Sequence, residues 1–139
     1  KLVKGDFMSQ TDPIADFITC IRNAQSARKP WVDVPSSNLK KRICYVLKEE
    51  HFIRDTMLIK DGKQDLIRVF LCYDDNNEPV INGIKKVSTP GCRSYVASAE
   101  IPKVLNGMGI SILTTSKGVI SHKKAKAFNV GGELLCQVW

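Results

Sequence analysis

The stretch from residue 107 to residue 125, GMGISILTTSKGVISHKKA, predicts a strand, a tight turn and the start of a helix. Ile110, Ile112 and Leu113 are β-forming apolar residues and predict a mostly buried strand. Three hydroxyl residues (114–116) end that strand. Lys117 and Gly118 follow as a turn, since glycine tolerates positive φ. The pattern therefore places short hydroxyl side chains where the chain leaves the core.

A basic helix is predicted immediately after this turn. Ser121 is a suitable N-cap, and Lys123, Lys124 and Lys126 follow it. Hydroxyl groups beside lysines form a surface that can approach a polyanion closely and hydrogen-bond to it. A simpler interpretation also fits, because Ser and Thr favour strand ends and caps for local backbone reasons and lysines favour solvent. The spacing alone leaves both interpretations open.

The distribution of charge favours a polyanionic partner. The formal net charge is +7, from 21 Lys and Arg against 14 Asp and Glu. Residues 1–80 hold 13 basic against 12 acidic side chains, whereas residues 81–139 hold eight against two, Glu100 and Glu133. This asymmetry predicts that the partner meets mainly the C-terminal half. An anionic membrane surface fits less well, because no long basic amphipathic helix is visible.

Length and composition are those of a globular protein. The chain has 139 residues, 43% hydrophobic and 25% charged, which suits one ordinary domain or two small ones. No apolar run reaches the roughly 18–20 residues of a membrane helix, and no secretory signal opens the chain, so a soluble intracellular protein is expected. The cysteines lack metal-ligand spacing and are expected to be reduced and mostly buried: Cys20, Cys44, Cys72, Cys92 and Cys136.

The N-terminal half predicts the order helix, strand, helix, strand, strand. Residues 1–10 show no pattern and are expected to form a tail of uncertain order. Thr11-Asp12-Pro13 opens the first helix, because a capping side chain followed by proline is a strong start signal. Ser36 or Ser37 caps the second helix. Strands are predicted at 31–34, 53–59 and 66–73, the last apolar on both faces and therefore covered on each side.

The polar stretch from Asp74 to Pro79 is the best candidate for a domain boundary. It separates an N-terminal α/β domain (11–78) from a C-terminal α+β domain (79–139). The second domain predicts a strand at 93–98, a short helix at 99–106 and a final strand at 134–139. The predicted fold class is α+β, with two small α/β domains packed together and the second mainly β with short helices.

No catalytic centre is predicted. Gly107-Met108-Gly109 lacks the third glycine of a dinucleotide site and lies between a helix and a strand in the wrong order. Ser116, His122 and Glu133 could be drawn as a triad, but no nucleophile elbow or oxyanion donors accompany them. We therefore expect no enzyme, no cofactor and no metal site.

Several motifs in one register resemble the family of small-subunit ribosomal protein S8. The C-terminal motifs are GMGI (107–110), LTTSKGV (113–119) and VGGELLC (130–136). TDPIAD (11–16) and IRNA (21–24) match near the N-terminus, and STPG (88–91) with Arg93 and Tyr95 forms a further block. The resemblance spans roughly residues 8–139. The C-terminal sequence GGELLCQVW (131–139) is similar to that of the bacterial or organellar branch of the family. Cys20 stands where the family commonly has arginine, and residues 121–124 replace a usually more acidic helix start.

This resemblance implies a structural component of the small ribosomal subunit, in the cytoplasm or in an organelle. It implies primary binding to the central domain of 16S-type rRNA and a part in assembling the subunit platform. Neighbouring small-subunit proteins are implied as partners, the messenger RNA of its own operon is a further candidate, and no membrane is expected. The implied RNA-binding residues, with the basic residues that flank them, are Thr11, Asp12, Arg22, Asn23, Arg93, Tyr95, Thr114, Thr115, Ser116, Lys117, Lys123, Lys124, Gly132 and Glu133.

Short hydroxyl side chains suit this partner, because duplex RNA presents a shallow minor groove lined by 2′-hydroxyls. Lysines would contact phosphates and add affinity but little sequence information. Tyr95 could stack on an unpaired base or lie in the core. Glu133 could accept a hydrogen bond from a base amine, pair with a nearby lysine or cap a turn.

Two substitutions follow from this interpretation. Replacing Thr115 by Ala is predicted to weaken RNA binding and to leave the fold intact. Neutralising Lys123 or Lys124 is predicted to lower the salt dependence by about one unit of log–log slope. The alternative is an adaptor whose basic surface meets an acidic protein. RNA that co-purifies and is lost on nuclease treatment would separate the two.

Overall fold

The structure is a computed structural model, and it describes residues 12–60, 62–102, 104 and 108–139. Thr11, the predicted tail at 1–10, Asp61 and Gly107 lie outside the described residues. In chain order the helices and strands are α1 (Pro13–Ser26), β1 (Trp31–Pro35), α2 (Asn38–Glu49), β2 (Ile53–Ile59), β3 (Leu66–Leu71), β4 (Ile84–Lys86), β5 (Tyr95–Val96), a 3₁₀ helix (Ser98–Glu100), β6 (Ile110–Thr115), β7 (Gly118–Ser121), α3 (His122–Phe128) and β8 (Gly132–Val138).

These strands form two antiparallel sheets. The N-terminal sheet has the order β1-β3-β2, and the C-terminal sheet has the order β4-β8-β6-β7, with β5 also paired to β8. The predicted α+β class is confirmed, and so is the order helix, strand, helix, strand, strand in the N-terminal half.

Local sequence signals explain where the helices begin. Asp12 caps α1, its Oδ1 accepting a hydrogen bond from the Ala15 N–H at 3.2 Å, with Pro13 in the first turn. Ser37 caps α2 by accepting from the Lys40 N–H at 3.2 Å. Ser121 caps α3 by accepting from the Lys124 N–H at 3.5 Å. The N-caps predicted for all three helices are therefore confirmed, with Ser37 rather than Ser36 in α2.

One hydrophobic cluster joins the two halves of the chain. Helices α1 and α2 contribute Phe17, Ile21 and Leu47, and the C-terminal sheet contributes Ile112 and Val138, all less than 2% exposed. Each such side chain stabilises the fold by about 1.5–3 kcal/mol through removal from water. A second cluster lies under α3 and consists of Ile101, Leu113, Ile120, Ala125 and Leu134. The larger cluster contains residues from both sides of position 79, so the two halves share a core. The domain boundary at 78/79 stays a prediction.

Two predicted elements of the C-terminal half are wrong in extent. The strand expected at 93–98 is only the two-residue β5. Residues 136–138 of β8 pair with β4, so β5 pairs only with Gly132 and Glu133 at the start of β8. Within the helix expected at 99–106, the structure has a 3₁₀ turn (Ser98–Glu100), and Ile101 is extended, with a φ of −66° and a ψ of 122°. Pro102 explains this ending, since the residue before a proline avoids helical geometry. Residues 103, 105 and 106 of that prediction lie outside the described residues.

The predicted cover on both faces of β3 is also wrong. Ile67, Val69 and Leu71 are buried, whereas Leu66, Arg68 and Phe70 are only half-buried on the other face. Burial of the cysteines is confirmed for Cys44 and Cys136, where it raises the pKa of each thiol to about 12. Cys20 and Cys72 are only half-buried, and Cys92 is exposed.

Candidate nucleic-acid interface

The β6–β7 hairpin carries the three hydroxyl residues at one end of the C-terminal sheet. Thr115 pairs with Gly118 across Ser116 and Lys117, and Gly118 has a φ of 103°. The Thr115 hydroxyl donates to the Gly118 carbonyl at 2.9 Å and accepts from the Lys117 N–H at 3.0 Å. Thr115 therefore stabilises the turn itself. Contrary to the expectation above, its replacement by Ala would alter the turn as well as the surface.

The other polar side chains of this hairpin tip, which we define as residues 114–118, are free to bind a partner. Thr114 is half-buried, and Ser116 and Lys117 are exposed. Within the described part of the chain, none of these three side chains makes a hydrogen bond or an ion pair. Two hydroxyls and one ammonium group are thus available at the tip.

The register of the C-terminal sheet aligns three of the predicted site residues in one row. Thr114 on β6 lies opposite Glu133 on β8, and Glu133 lies opposite Tyr95 on β5. Directly opposed residues of antiparallel strands project from the same face of a sheet. Tyr95 is 71% exposed, so it is not a core residue. The Thr114–Glu133–Tyr95 row therefore places a half-buried hydroxyl, a carboxylate side chain that is 14% exposed and an exposed aromatic ring side by side.

Glu133 is held in this row through one of its two carboxylate oxygens. Its Oε2 accepts from the Ser88 hydroxyl at 2.5 Å and from the Arg93 guanidinium at 3.0 Å. Burial raises the pKa of Glu133. The hydrogen bonds from Ser88 and Arg93, with the charges of Arg93 and Lys86, outweigh that effect and keep the pKa below its ordinary value. Glu133 thus pairs with an arginine rather than with the lysine partner considered from the sequence.

Gly131 and Gly132 allow the neighbouring strands to approach β8 at this end of the sheet. A Cβ on Gly132 would lie 2.2 Å from the Thr114 carbonyl oxygen, and one on Gly131 would lie 2.3 Å from the Val96 carbonyl oxygen. Real Cβ atoms do not come that close to a carbonyl, so only glycine fits without moving the backbone. Gly132 therefore shapes the interface and contributes no side chain to it.

The two lysines predicted on α3 have acidic partners. The Lys123 ammonium lies 3.0 Å from the Glu50 carboxylate, and that of Lys124 lies 3.1 Å from the Glu49 carboxylate. Both acids are at the C-terminal end of α2. These pairs join the halves of the chain. The basic residues of the C-terminal half do not all face one free surface.

The predicted N-terminal site residues also have structural contacts. Asp12 lies 3.1 Å from the Lys86 ammonium through its Oδ2, in addition to capping α1. The Arg22 guanidinium donates a hydrogen bond to the Ile84 carbonyl. Asn23 lines an open groove of about 290 Å³ beside Lys29. Asp12 and Arg22 therefore fasten α1 to β4, and their RNA contacts stay predictions.

Ser88 and Lys86 are site residues that the sequence interpretation did not select. Ser88 is fully buried beside Glu133, and Lys86 connects it to Asp12. The STPG motif at 88–91 was the available signal, because it already carried part of the family resemblance. The contact of Ser88 with Glu133 spans 45 residues of sequence, and that of Lys86 with Asp12 joins the two halves of the chain.

The imagined triad is not assembled. His122 is buried, and its Nδ1 accepts from the Ser111 N–H at 3.2 Å. Burial and the nearby Lys123 and Lys126 lower the pKa of His122, although Glu50 acts in the opposite direction. No hydrogen bond joins Ser116, His122 and Glu133. Among the described residues there is also no cluster suited to a metal ion. No described helix has the length and apolarity needed to cross a membrane.

Fold and surface together define a class: a mixed α+β protein with two antiparallel sheets on a shared core and a strongly basic C-terminal half. The family model for ribosomal protein S8 matches residues 12–139. The small ribosomal subunit protein uS8 of Pediococcus pentosaceus is 56% identical over 132 residues, which cover 95% of this chain and 100% of the relative. The uS8 proteins of Clostridioides difficile and Geobacter sulfurreducens are 54% and 57% identical over the same shares.

The chain therefore belongs to the ribosomal protein S8 family. This membership confirms the resemblance seen in the sequence motifs. It also confirms that the chain is a structural protein of translation and not an enzyme.

Proposed function

We propose that the chain is a primary rRNA-binding component of the small ribosomal subunit, located in cytoplasmic ribosomes. In this role it binds the central domain of 16S-type rRNA and helps to assemble the subunit platform. Family membership and the names of the uS8 relatives support the place in the small subunit. The rRNA contact is inferred from the surface of the C-terminal sheet.

The observation that carries the proposal is the combination of the row and the hairpin tip. The hydroxyls of Thr114 and Ser116 have no partner in the described part of the chain, and Tyr95 on the same sheet is 71% exposed. Short hydroxyls both donate and accept without holding the backbone away from a ligand. Such a surface fits the wide minor groove of an RNA duplex, where 2′-hydroxyls are the nearest groups.

Each residue of this surface has a distinct chemical task. Lys117 contacts a phosphate at the edge of the duplex, and Tyr95 stacks on an unpaired base. Glu133 accepts a hydrogen bond from an exocyclic base amine through Oε1, because Oε2 is already bound by Ser88 and Arg93. That task requires the ionised carboxylate, and the hydrogen bonds and charges that lower the pKa of Glu133 favour this form.

The remaining contacts extend the same proposal. Residues 79–139 act as the RNA-binding domain, and residues 11–78 add contacts near Thr11, Asp12, Arg22 and Asn23. Neighbouring small-subunit proteins bind elsewhere on the surface. A messenger RNA of its own operon that imitates the rRNA site binds the same row. The alternative, an adaptor whose basic surface binds an acidic protein, is weaker. An acidic protein would use the lysines of α3, and those are already paired with Glu49 and Glu50.

Crosslinking in cells tests the proposal. After ultraviolet irradiation, the chain is purified, and both the attached RNA and the attached peptides are sequenced. We expect reads concentrated in the central domain of small-subunit rRNA and crosslinked peptides containing Tyr95 or residues 114–118. Recovery of RNA scattered over all transcripts, or crosslinks confined to the N-terminal half, would contradict the proposed interface.

A further inference from the structure

A fully buried serine lies directly behind the candidate interface. Ser88 is 0% exposed, although serine is usually found at the surface. Its hydroxyl donates to Oε2 of Glu133 at 2.5 Å and accepts from the Ser94 N–H at 3.2 Å. A buried hydroxyl with both functions satisfied has a fixed direction. The Glu133 carboxylate is therefore held from the inside as well as by Arg93 from the outside.

Lys86 continues this contact toward the N-terminal half. Its side chain is 12% exposed, and its ammonium lies 3.1 Å from Oδ2 of Asp12, whose side chain is 20% exposed. The same ammonium donates a hydrogen bond to the Ser88 carbonyl. Asp12, Lys86, Ser88 and Glu133 thus form an unbroken polar chain, and Arg93 ends it at the surface. The chain connects the N-cap of α1 with the row on the C-terminal sheet.

We propose that Ser88 is a positioning residue of the RNA interface, which fixes the Glu133 carboxylate so that Oε1 faces the ligand, with Lys86 holding the Ser88 backbone in place. This inference rests on the proposed RNA contact of Glu133. Ser88 does not touch the RNA. Two donors on Oε2 leave the carboxylate one orientation, so the acceptor is in place before the RNA arrives, and no ordering cost falls on binding.

The charged groups around Glu133 agree with this role. Arg93 and Lys86 are the cations that act on its carboxylate, and the Ser88 hydrogen bond is the strongest of the influences that favour its ionised form. Loss of the Ser88 hydroxyl would therefore release the carboxylate on its buried side. Arg93 would remain, but its side chain is 51% exposed, so it contacts Glu133 only from the solvent side.

Ser111 provides a matched control for the test. It is also 0% exposed, and its hydroxyl makes one long hydrogen bond, 3.4 Å, to the Pro102 carbonyl. Ser88→Ala and Ser111→Ala therefore remove the same group from two buried sites, of which only the first faces Glu133. Affinity for a central-domain fragment of small-subunit rRNA is measured for both variants, for Glu133→Ala and for Ser88→Ala combined with Glu133→Ala.

We expect Ser88→Ala to weaken RNA binding about tenfold, as when a hydrogen bond to a charged group is lost, and Ser111→Ala to change it less than about twofold. The combined variant should bind no more weakly than Glu133→Ala alone, because Ser88 acts through Glu133. Equal losses in the two serine variants, or additive losses in the combined variant, would overturn the positioning role. The proposed function would then stand as long as Glu133→Ala alone binds weakly.

A titration without RNA separates structure from binding. The Glu133 carboxyl is followed by carbon NMR in the wild-type chain and in both serine variants. We expect the pKa of Glu133 to rise in Ser88→Ala and to stay unchanged in Ser111→Ala. An unchanged value in Ser88→Ala would overturn the inference directly. A raised value together with wild-type RNA affinity of Glu133→Ala would instead show that Glu133 does not contact RNA. That result overturns the positioning role of Ser88 and leaves the proposed RNA contact of the hairpin tip to its own variants.

Discussion

The hairpin tip and the lysines of α3 look alike in the sequence. In the structure they differ, because three of the tip side chains lack partners among the described residues and the lysines are paired. The tip (114–118) and the lysines of α3 are both polar and close in sequence, and both suggest a polyanion. At the tip, Thr114, Ser116 and Lys117 have no side-chain partner among the described residues. On α3, Lys123 and Lys124 are each paired with a carboxylate of α2.

This difference shows that a count of positive charges does not distinguish paired lysines from free ones. Paired lysines on α3 help to hold the two halves together, so their charge is already compensated. The tip offers fewer charges but leaves its donors and acceptors open, and the sheet register adds Tyr95 and Glu133 beside it. Free hydrogen-bonding groups on a rigid sheet are the better indicator of a binding surface.

Gly132→Ala should have the largest effect on this comparison. Its Cβ would meet the Thr114 carbonyl at 2.2 Å, so β6 and β8 must separate and the row is broken. We expect a loss of about 2–3 kcal/mol in the free energy of unfolding, measured by urea denaturation, with RNA binding strongly reduced. Gly91→Ala is the control, since nothing lies within 4 Å of a Cβ there. Equal stability of the two variants would show that the close approach is not strained.

The salt dependence of RNA binding distinguishes the two groups of lysines. Lys117→Met should lower the log–log slope by about one unit, because an unpaired ammonium displaces a counterion from the RNA. Lys123→Met should lower it by less, since Glu50 compensates its charge at 3.0 Å. Affinities measured from low to moderate salt provide both slopes. The opposite order would place the main phosphate contact on α3, as the sequence alone suggested.

The ionisation of the row predicts a pH effect on stability. The pKa of Glu133 is lower in the folded chain than its ordinary 4.5, so ionised Glu133 stabilises the fold above that pH. This contribution is lost as the pH falls from 4.5 through the lower folded value. We expect the unfolding free energy of the wild type to fall more steeply over that range than that of Glu133→Gln. Parallel curves would mean that Ser88 and Arg93 do not stabilise the carboxylate.

Removing one lysine of α3 should change stability least. Lys123 and Lys124 are 58% and 47% exposed, and exposed ion pairs contribute about 0–1 kcal/mol. We therefore expect Lys123→Ala to lower the free energy of unfolding by less than about 1 kcal/mol at moderate salt, with Glu50→Ala as the matched partner variant. A much larger loss in either variant would assign these pairs a central role in holding the two halves together.

Local signals predicted those parts of the fold that depend on neighbouring residues. Asp12 before Pro13, Ser37 and Ser121 marked the three helix starts, because capping involves groups only three residues apart. Alternation and β-forming residues marked the strand from 110 onward. The helix predicted at 99–106 is wrong in extent, because apolar spacing does not reveal that Pro102 keeps Ile101 extended.

The arrangement of the site could be predicted only in part. Family motifs identified Tyr95, Thr114 and Glu133, but their alignment in one row depends on the pairing of three distant strands. The partners of Lys123 and Lys124 are more than 70 residues away, so no local pattern indicates them. Ser88 belongs to a family motif, but the sequence indicates no role for it, because that role depends on its hydrogen bond to Glu133.

The central claim is that the open hydroxyls of the hairpin tip bind RNA. The most direct test compares the affinity of the wild type and of Thr114→Val combined with Ser116→Ala for a central-domain fragment of small-subunit rRNA, with unfolding curves recorded in parallel. Neither hydroxyl has a partner in the described chain, so stability should stay within about 0.5 kcal/mol while affinity falls at least about tenfold. Unchanged affinity in a stably folded double variant would contradict the account.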